Sequence, residues 1–213
     1  RQILTSGQHL LGLVDDVLDL STAQSGNIGL VWASVDPLAV VADGWAPLAA
    51  RAQQASVRFD GDVPGDTTLH VLADRNRLRQ VVDRLLSNAI KFNRAGGQVT
   101  VRAARRGERV ELVVSDSGQG MDAAQREHVF DPFERGGNAH PPDGGSGLGL
   151  ALAHQLVLAM NGEISVASEP GRGTTFKLLF PASDSPVEQT PSQRAHANWR
   201  SEGTILLVDD DAS

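Results

Sequence analysis

Hydrophobic residues recur at helical spacing over the first two dozen residues. Ile3, Leu10 and Val17 are seven residues apart, and so are Leu13 and Leu20. Further apolar residues between them widen the stripe beyond what a two-helix seam needs, which is typical of a helix bundle. The pattern predicts one long bundle helix over residues 1–25. Its apolar stripe requires a partner helix, upstream or in a second chain, or packs on the domain that follows.

From residue 28 onward the pattern alternates between strand and helix. Alternating or β-branched apolar runs predict strands, and apolar residues three or four apart predict helices. The strands are expected at residues 28–32, 57–59, 69–72, 99–103, 110–114, 164–167 and 175–180. The helices are expected from Asp36 to about Ser56 with a kink at Pro47, from Asp74 to Gly96, from Asp122 to about Phe130 and from Gly147 to Asn161.

Composition narrows the class of protein. A chain of 213 residues with 40% hydrophobic content predicts one or two globular domains with a sizeable core. The net charge of −7 argues against a nucleic-acid partner. The chain has no cysteine, which excludes disulfides and thiolate metal sites and fits a reducing compartment. We find neither an apolar run long enough for a transmembrane helix nor a signal-peptide pattern.

Two glycine-rich turns carry the candidate chemistry. Asp116 ends a predicted strand and precedes Gly118 and Gly120. A carboxylate there can accept a hydrogen bond from an exocyclic amine such as that of adenine. The second cluster, residues 144–150, opens a helix whose N-terminus suits phosphate. Together the turns suit the two ends of a nucleotide, although the first alone could be a plain Asp-Gly turn.

Four further segments bear on function or domain organisation. Asn88 and Lys91 lie beside the apolar face of a predicted helix and could meet one ligand, or else lie exposed on the solvent side. The glycine-rich residues 134–146 bury almost nothing, so we expect a lid or a disordered loop there. Residues 182–202 read as a linker, and the apolar run after it ends in Asp209 and Asp210. Acids in that position suit a cation, or they are a chance acidic tail.

Four motifs, in order, resemble the catalytic ATP-binding domain of two-component sensor histidine kinases in the GHKL superfamily. They are residues 88–92 (the N box), 116–121 (the first glycine box), 130–133 (the F box) and 145–150 (the second glycine box). The resemblance runs from about residue 36 to 181, and we assign residues 26–181 to this domain. It implies an α/β two-layer sandwich: a mixed, mostly antiparallel sheet with three helices on one face and ATP between helices and lid.

The resemblance also implies roles for individual residues. Asp116 would hold the adenine amine, Gly118 and Gly120 would let the base approach, and Thr175 would reach the adenine through water. Asn88 would coordinate the Mg²⁺ that bridges the phosphates, and Lys91 would neutralise them. Phe130 and Phe133 would anchor the lid. Phosphate would be received by the turn made of Gly145, Ser146, Gly147, Leu148 and Gly149.

The flanks are similar to the neighbouring domains of hybrid sensor kinases. Residues 1–25 resemble the second helix of the dimerisation and phosphotransfer hairpin, and residues 203–213 the start of a receiver domain. Asp209 and Asp210 would then be the receiver's Mg²⁺ pair. The acceptor histidine is expected on a first hairpin helix that this chain lacks. The implied parent is a homodimer that passes phosphate to its receiver or to a separate response regulator. The domain is expected in the cytoplasm, with any inner-membrane anchor in upstream segments.

One residue departs from the family pattern. Arg84 stands four residues before Asn88, where the family often has another asparagine. Arginine cannot ligate a cation, so metal binding or phosphate contact is altered. The expected function is transfer of the ATP γ-phosphate to a histidine. The alternative is a degenerate ATP-binding module that serves as a scaffold or phosphatase, and a chaperone or topoisomerase ATPase is a third, less favoured interpretation.

Overall fold

The computed structural model describes residues 14, 17–22, 28–61, 69–134 and 146–183. Residues 14 and 17–22 are helical, in agreement with the predicted bundle helix as far as it is described. The rest of that helix, most of the predicted lid, the linker and the predicted receiver strand lie outside the described residues. So do Gly145, Asp209 and Asp210.

Seven strands and five α-helices follow in the described part of the chain. The strands are β1 (Trp32–Val35), β2 (Arg58–Gly61), β3 (Val71–Asp74), β4 (Gln98–Arg106), β5 (Arg109–Asp116), β6 (Glu163–Glu169) and β7 (Gly173–Pro181). The helices are α1 (Pro37–Trp45), α2 (Ala49–Gln54), α3 (Arg75–Lys91), α4 (Ala123–Glu127) and α5 (Gly149–Ala159), with a 3₁₀ turn at Ala46–Leu48.

The strands form a large sheet and a small one. The large sheet has the order β2-β4-β5-β7-β6. Its β2–β4 pair is parallel and its other pairs are antiparallel. The small sheet is the antiparallel pair β1–β3, which is bridged to the end of β7 through Val71 and Ala182. The predicted mixed, mostly antiparallel sheet is therefore confirmed.

The core lies between one face of the large sheet and the helices. Alternate residues of β4, β5 and β7 are buried against α3 and α5, as the strand period of two requires. Helix α3 packs against both α1 and α5. Its buried face consists of Leu78, Val81, Val82, Leu85, Leu86, Ala89 and Ile90, the residues that the helical pattern predicted. Helix α3 therefore lies between α1 and α5 and carries several residues of the candidate site.

Several predicted boundaries differ from the structure, and three of these differences have a clear physical cause. Residues 28–31 are not in a strand, because the Val31 N–H donates to the Asp74 carboxylate (2.8 Å) instead of a neighbouring strand. The predicted helix through residue 56 is interrupted at Pro47, which lacks an N–H, and changes to a 3₁₀ turn. Helix α5 begins at Gly149, since Gly147 has a φ of 73° that a right-handed helix does not allow.

Asp74 joins the small sheet to α3. It is 5% exposed, and its Oδ1 accepts hydrogen bonds from the N–H groups of Asn76 (2.8 Å) and Arg77 (3.1 Å). Its Oδ2 accepts the bond from Val31 described above. We expect Asp74→Ala to lower the free energy of unfolding by about 2 kcal/mol, because it removes an N-cap and leaves another N–H without its partner. Urea denaturation measures this loss.

Asp122→Ala is the matched control for this prediction. Asp122 also caps a helix and accepts a bond from the Gln125 N–H (2.8 Å), but it is exposed and α4 is short. Water can satisfy the N–H groups that this substitution releases, so the expected loss is about 1 kcal/mol or less. Equal losses in the two variants would contradict the role of Asp74 as a link between elements.

Candidate functional site

Asp116 ends β5 on the side of the sheet that faces the helices. Its Oδ1 accepts hydrogen bonds from the backbone N–H groups of Gly118 (2.8 Å) and Thr174 (3.3 Å). No other described residue hydrogen-bonds to this carboxylate, so its Oδ2 has no partner within the described structure. Because no buried side-chain oxygen there lacks a partner, Oδ2 is exposed to solvent. Oδ2 is therefore held in a fixed direction and left available to an outside donor.

Burial changes the acidity of this carboxyl group. Desolvation raises the pKa of Asp116 to about 6, although the hydrogen bonds from Gly118 and Thr174 act to lower it. The desolvation penalty on the charged form is therefore larger than the stabilisation from two backbone donors. Asp116 remains ionised at neutral pH and is a strong acceptor in a partly dry site.

Gly118 and Gly120 are required by contacts within the protein. A Cβ at Gly118 would overlap the carbonyl oxygen of Phe92, and one at Gly120 would overlap that of Glu169. Gly120 also has a φ of 68°, which favours glycine. The loop is thus wedged between the end of α3 and the β6–β7 turn. These contacts give a second reason for both glycines, beside the expected approach of a base.

The structure places Thr175 away from Asp116. Its side chain lies on the sheet face opposite the helices, where its Oγ1 is 3.0 Å from Oγ of Ser115. Thr174 is on the helix side, 9% exposed, and its N–H bonds Asp116. Thr174 was not among the residues predicted from the sequence. The sequence contained the necessary signal, because Thr174 lies two residues before the apolar Phe176, and residues two apart in a strand lie on the same face of the sheet.

Three polar residues line one side of α3. Arg84, Asn88 and Lys91 are spaced four and three residues apart and are half-buried, which puts them in one row along the helix. The Lys91 ammonium lies 5.1 Å from the centre of the Phe92 ring. No described residue hydrogen-bonds to the Asn88 side chain. Arg84 lies beside the start of α5, because a Cβ added to Gly149 would be 3.4 Å from its Nη1, and Asn88 and Lys91 follow Arg84 along the same helix.

The second glycine turn leaves a helix end without a side-chain cap. Gly147 is in the left-handed region and its carbonyl accepts a hydrogen bond from the Phe133 N–H (3.1 Å). Ser146 Oγ accepts from the Leu148 N–H (3.2 Å), and Leu148 is buried. No side chain caps α5, whereas aspartates cap α1, α3 and α4. The first N–H groups of α5 are therefore available to an anion.

The two phenylalanines of the F box have different surroundings. Phe130 stacks on His154 with ring centres 4.8 Å apart and meets Phe176 edge-on at 6.3 Å. The Phe133 side chain is 68% exposed, and this residue is held through its backbone bond to Gly147. Phe130 is thus the packed anchor of this segment, while Phe133 closes the base of the loop between residues 134 and 146.

The residues present suit a metal ion carried by a nucleotide. Within the described ranges no group of three His, Cys, Asp or Glu residues could hold a metal ion. Mg²⁺ in proteins often takes one or two side-chain oxygens and completes its shell with phosphate oxygens and water. The amide oxygen of Asn88 fits such a single-ligand role.

None of the described helices is long and apolar enough to cross a membrane.

Comparisons with known proteins agree with this geometry. The family of histidine kinase-, DNA gyrase B- and HSP90-like ATPases matches residues 73–184. Histidine protein kinase DivJ of Caulobacter vibrioides is 37% identical over 88% of this chain and 31% of its own length. Sensor protein TorS of Escherichia coli is 32% identical over 99% of this chain and 23% of its own. The chain thus spans less than a third of either relative.

Solved structures give the same result. Full-length ShkA in complex with AMPPNP has a TM-score of 0.74 and 33% identity, over 85% of this chain and 38% of that one. The histidine kinase AdeS of Acinetobacter baumannii has a TM-score of 0.72 and 25% identity, over 86% of this chain and 83% of that one. The chain therefore belongs to the histidine kinase-, DNA gyrase B- and HSP90-like ATPase family, as the catalytic ATP-binding domain of a sensor histidine kinase.

Proposed function

We propose that this chain binds Mg²⁺-ATP between α3, the Asp116 loop and the start of α5, and transfers the γ-phosphate to a histidine. The observation that carries the proposal is the available Oδ2 of Asp116 at one end of the site and the uncapped α5 at the other. One end suits an amine donor and the other suits an anion. A nucleotide has both groups at its two ends.

At the adenine end, Asp116 accepts the hydrogen bond from the exocyclic amine. Thr174 supports it, because its N–H holds Oδ1 and its side chain lies on the same face of the sheet. Thr174 thus replaces Thr175 in the role beside the adenine. Gly118 and Gly120 keep the loop close to α3, so that the base can lie against it.

At the phosphate end, the chain offers two kinds of positive group. Lys91 supplies an ammonium from α3, and the turn from Gly147 to Gly149 supplies backbone N–H groups. Ser146 and Phe133 flank the segment predicted to be a lid and would lie near the phosphates; Gly145, also predicted to receive phosphate, lies outside the described residues. Asn88 would hold the Mg²⁺, which would neutralise part of the phosphate charge.

Phosphate transfer follows from positioning. A nitrogen of the acceptor imidazole attacks the γ-phosphorus in line, the bond to the bridging oxygen breaks, and ADP leaves with that oxygen. The imidazole proton passes to solvent. The chain's own residues contribute orientation of the triphosphate and neutralisation of its charge, which are the main sources of rate in phosphoryl transfer.

The relatives suggest how the domain is used. DivJ and TorS are named as a histidine protein kinase and a sensor protein. We propose that residues 1–25 form the second hairpin helix of a homodimer, residues 182–202 a linker, and residues 203–213 the start of a receiver whose Asp209 and Asp210 bind Mg²⁺. The domain then works in the cytoplasm of a two-component system, whether or not the parent is anchored in the inner membrane.

The test is phosphotransfer to a histidine-bearing hairpin supplied as a separate polypeptide. With radiolabelled ATP and Mg²⁺, we expect label on the hairpin that is lost in acid, as a phosphohistidine is. A hairpin with the histidine replaced is the control. ATP binding without any transfer would favour the degenerate module instead, and no ATP binding by the folded chain would reject both.

A pH dependence follows from the raised pKa of Asp116. Below about pH 6 the free protein holds a proton on this carboxyl group, which must leave before the carboxylate can accept the adenine amine. Adenosine affinity should therefore fall as the pH drops from 7 to 5, approaching tenfold per pH unit below 6. An aspartate with the ordinary pKa would keep its affinity down to about pH 4.

Calorimetric titration with adenosine measures this effect, since adenosine has no phosphate that titrates in the same range. Asp116→Asn is the control, because its affinity should be weak and independent of pH over this range. An affinity of the parent chain that does not change between pH 7 and pH 5 would contradict the raised pKa or the contact with the amine.

A further inference from the structure

Arg84 lies against the start of α5. It is half-buried on α3, one turn before Asn88. A Cβ added to Gly149 would lie 3.4 Å from Nη1 of Arg84 and 3.8 Å from its Cδ. The guanidinium therefore lies beside the first residue of α5, at a distance where an added Cβ would make an ordinary van der Waals contact with it. This is the end of the site to which the proposed function assigns the phosphates.

The arrangement brings two positive features together. The N-terminus of α5 carries the positive end of the helix dipole and has no side-chain cap. The guanidinium of Arg84 beside it carries a positive charge. At the start of α1, α3 and α4 the N-cap residue is an aspartate, whereas the N-cap residue of α5 is Leu148. An anion at the start of α5 would be attracted by both features, and a polyphosphate has the required charge.

We propose that Arg84 binds phosphate oxygens of the nucleotide and supplies part of the positive charge that a metal ion supplies elsewhere. This inference rests on the proposed function, because it concerns the phosphate end of the same site. Arginine cannot ligate Mg²⁺, but its planar fork forms paired hydrogen bonds to phosphate. The chain consequently binds ATP with appreciable affinity even when no divalent cation is present.

The test is calorimetric ATP binding by the parent chain and by Arg84→Asn, each in EDTA and in excess Mg²⁺. In EDTA we expect Arg84→Asn to weaken ATP binding about tenfold or more, as the loss of a charge-assisted phosphate contact predicts. In Mg²⁺ we expect a loss below about threefold, because an asparagine can ligate the metal. Adenosine should bind both proteins equally, since it has no phosphate.

Two variants separate this role from a general effect of charge. Arg79→Asn removes the same charge from the same helix, but Arg79 is paired with Asp83 (2.6 Å) and lies elsewhere on the helix surface. It should leave ATP affinity in EDTA unchanged. Arg84→Lys keeps the charge and loses the fork, so its affinity in EDTA should fall between those of the parent and Arg84→Asn.

The outcomes distinguish this role from the proposed function. If ATP binds in Mg²⁺ and needs Asp116, but Arg84→Asn binds like the parent in EDTA, the role of Arg84 is rejected and the site stands. Undetectable ATP binding by the parent in EDTA rejects the role as well, as does an equal loss in Arg79→Asn. If the folded parent binds no ATP in Mg²⁺ either, the proposed function itself fails.

Discussion

Asp116→Asn should weaken ATP binding at least about tenfold while leaving the protein folded. A hydrogen bond to an ionised group contributes roughly 1.5–3 kcal/mol, and 1.4 kcal/mol corresponds to a factor of ten in affinity. The structure strengthens the expectation. The N–H groups of Gly118 and Thr174 both point at Oδ1, so an asparagine must keep its oxygen there. Its NH₂ then replaces Oδ2 and meets the adenine amine donor to donor.

The same geometry predicts that the variant is stable. Asparagine keeps both backbone hydrogen bonds and removes a carboxylate whose pKa is raised by burial to about 6. At pH 7 the parent holds a charge in a partly dry environment, and the variant does not, so its melting temperature should be equal or higher. A variant that binds ATP weakly and melts no earlier than the parent has lost a ligand contact and not its fold.

The measurement is ATP affinity by calorimetry at pH 7, with GTP and a second variant as controls. GTP should bind the parent poorly, because guanine presents a carbonyl where adenine presents the amine. Asp60→Asn removes the same charge from the exposed strand β2, where Asp60 pairs with Arg102 (3.1 Å), and should change nothing. Equal ATP affinities of parent and Asp116→Asn would remove the adenine assignment.

Asn88→Ala should abolish the benefit of Mg²⁺ for ATP binding. Asn88 is half-buried on α3, one turn after Arg84, and the described residues contain no cluster of His, Cys, Asp or Glu that could hold a metal ion. If the metal gets one protein oxygen and the rest from phosphate and water, losing that oxygen should lower ATP affinity in Mg²⁺ about tenfold. Phosphotransfer should fall further, since the same metal neutralises charge during the reaction.

The decisive comparison is the ratio of ATP affinities in Mg²⁺ and in EDTA. We expect this ratio to fall towards one in Asn88→Ala. Asn76→Ala is the matched control, because it removes an amide from the exposed first turn of the same helix, where only the backbone N–H of Asn76 bonds Asp74. A ratio in Asn88→Ala that equals the parent's would mean that Mg²⁺ is held by other groups.

Much of the fold was predictable from short-range patterns. Asp74 and Asp122 are capping residues in the structure as in the prediction, and the two hairpins β4–β5 and β6–β7 lie where alternation and turn residues placed them. These features depend on residues within a few positions of each other. The predicted ends of strands and helices were less accurate where a residue distant in sequence takes a backbone hydrogen bond. The Val31 N–H, for example, donates to the Asp74 carboxylate and not to a neighbouring strand.

The features of the site likewise separate into those that depend on local sequence and those that depend on distant partners. Motif order led to the prediction of Asp116, Asn88, Lys91 and the second glycine turn as site residues, because each lies at or near the end of an element that local periodicity reveals. The choice between Thr174 and Thr175 depended on the strand face, which alternation contains but which became evident only when β7 was paired with β5. Gly118 and Gly120 were predicted to contact the ligand. Their close packing against Phe92 and Glu169 could not be predicted, because it involves residues far apart in the chain.

Two properties of the site arise only when the chain is folded. The pKa of Asp116 near 6 results from burial by neighbouring elements, and a carboxyl group in an unfolded chain would have its ordinary value. Arg84 lies beside Gly149 because α3 packs beside α5 on the same face of the sheet. Sequence periodicity specifies which residues face a core, but long-range packing decides which polar groups meet at its edge and how dry they are.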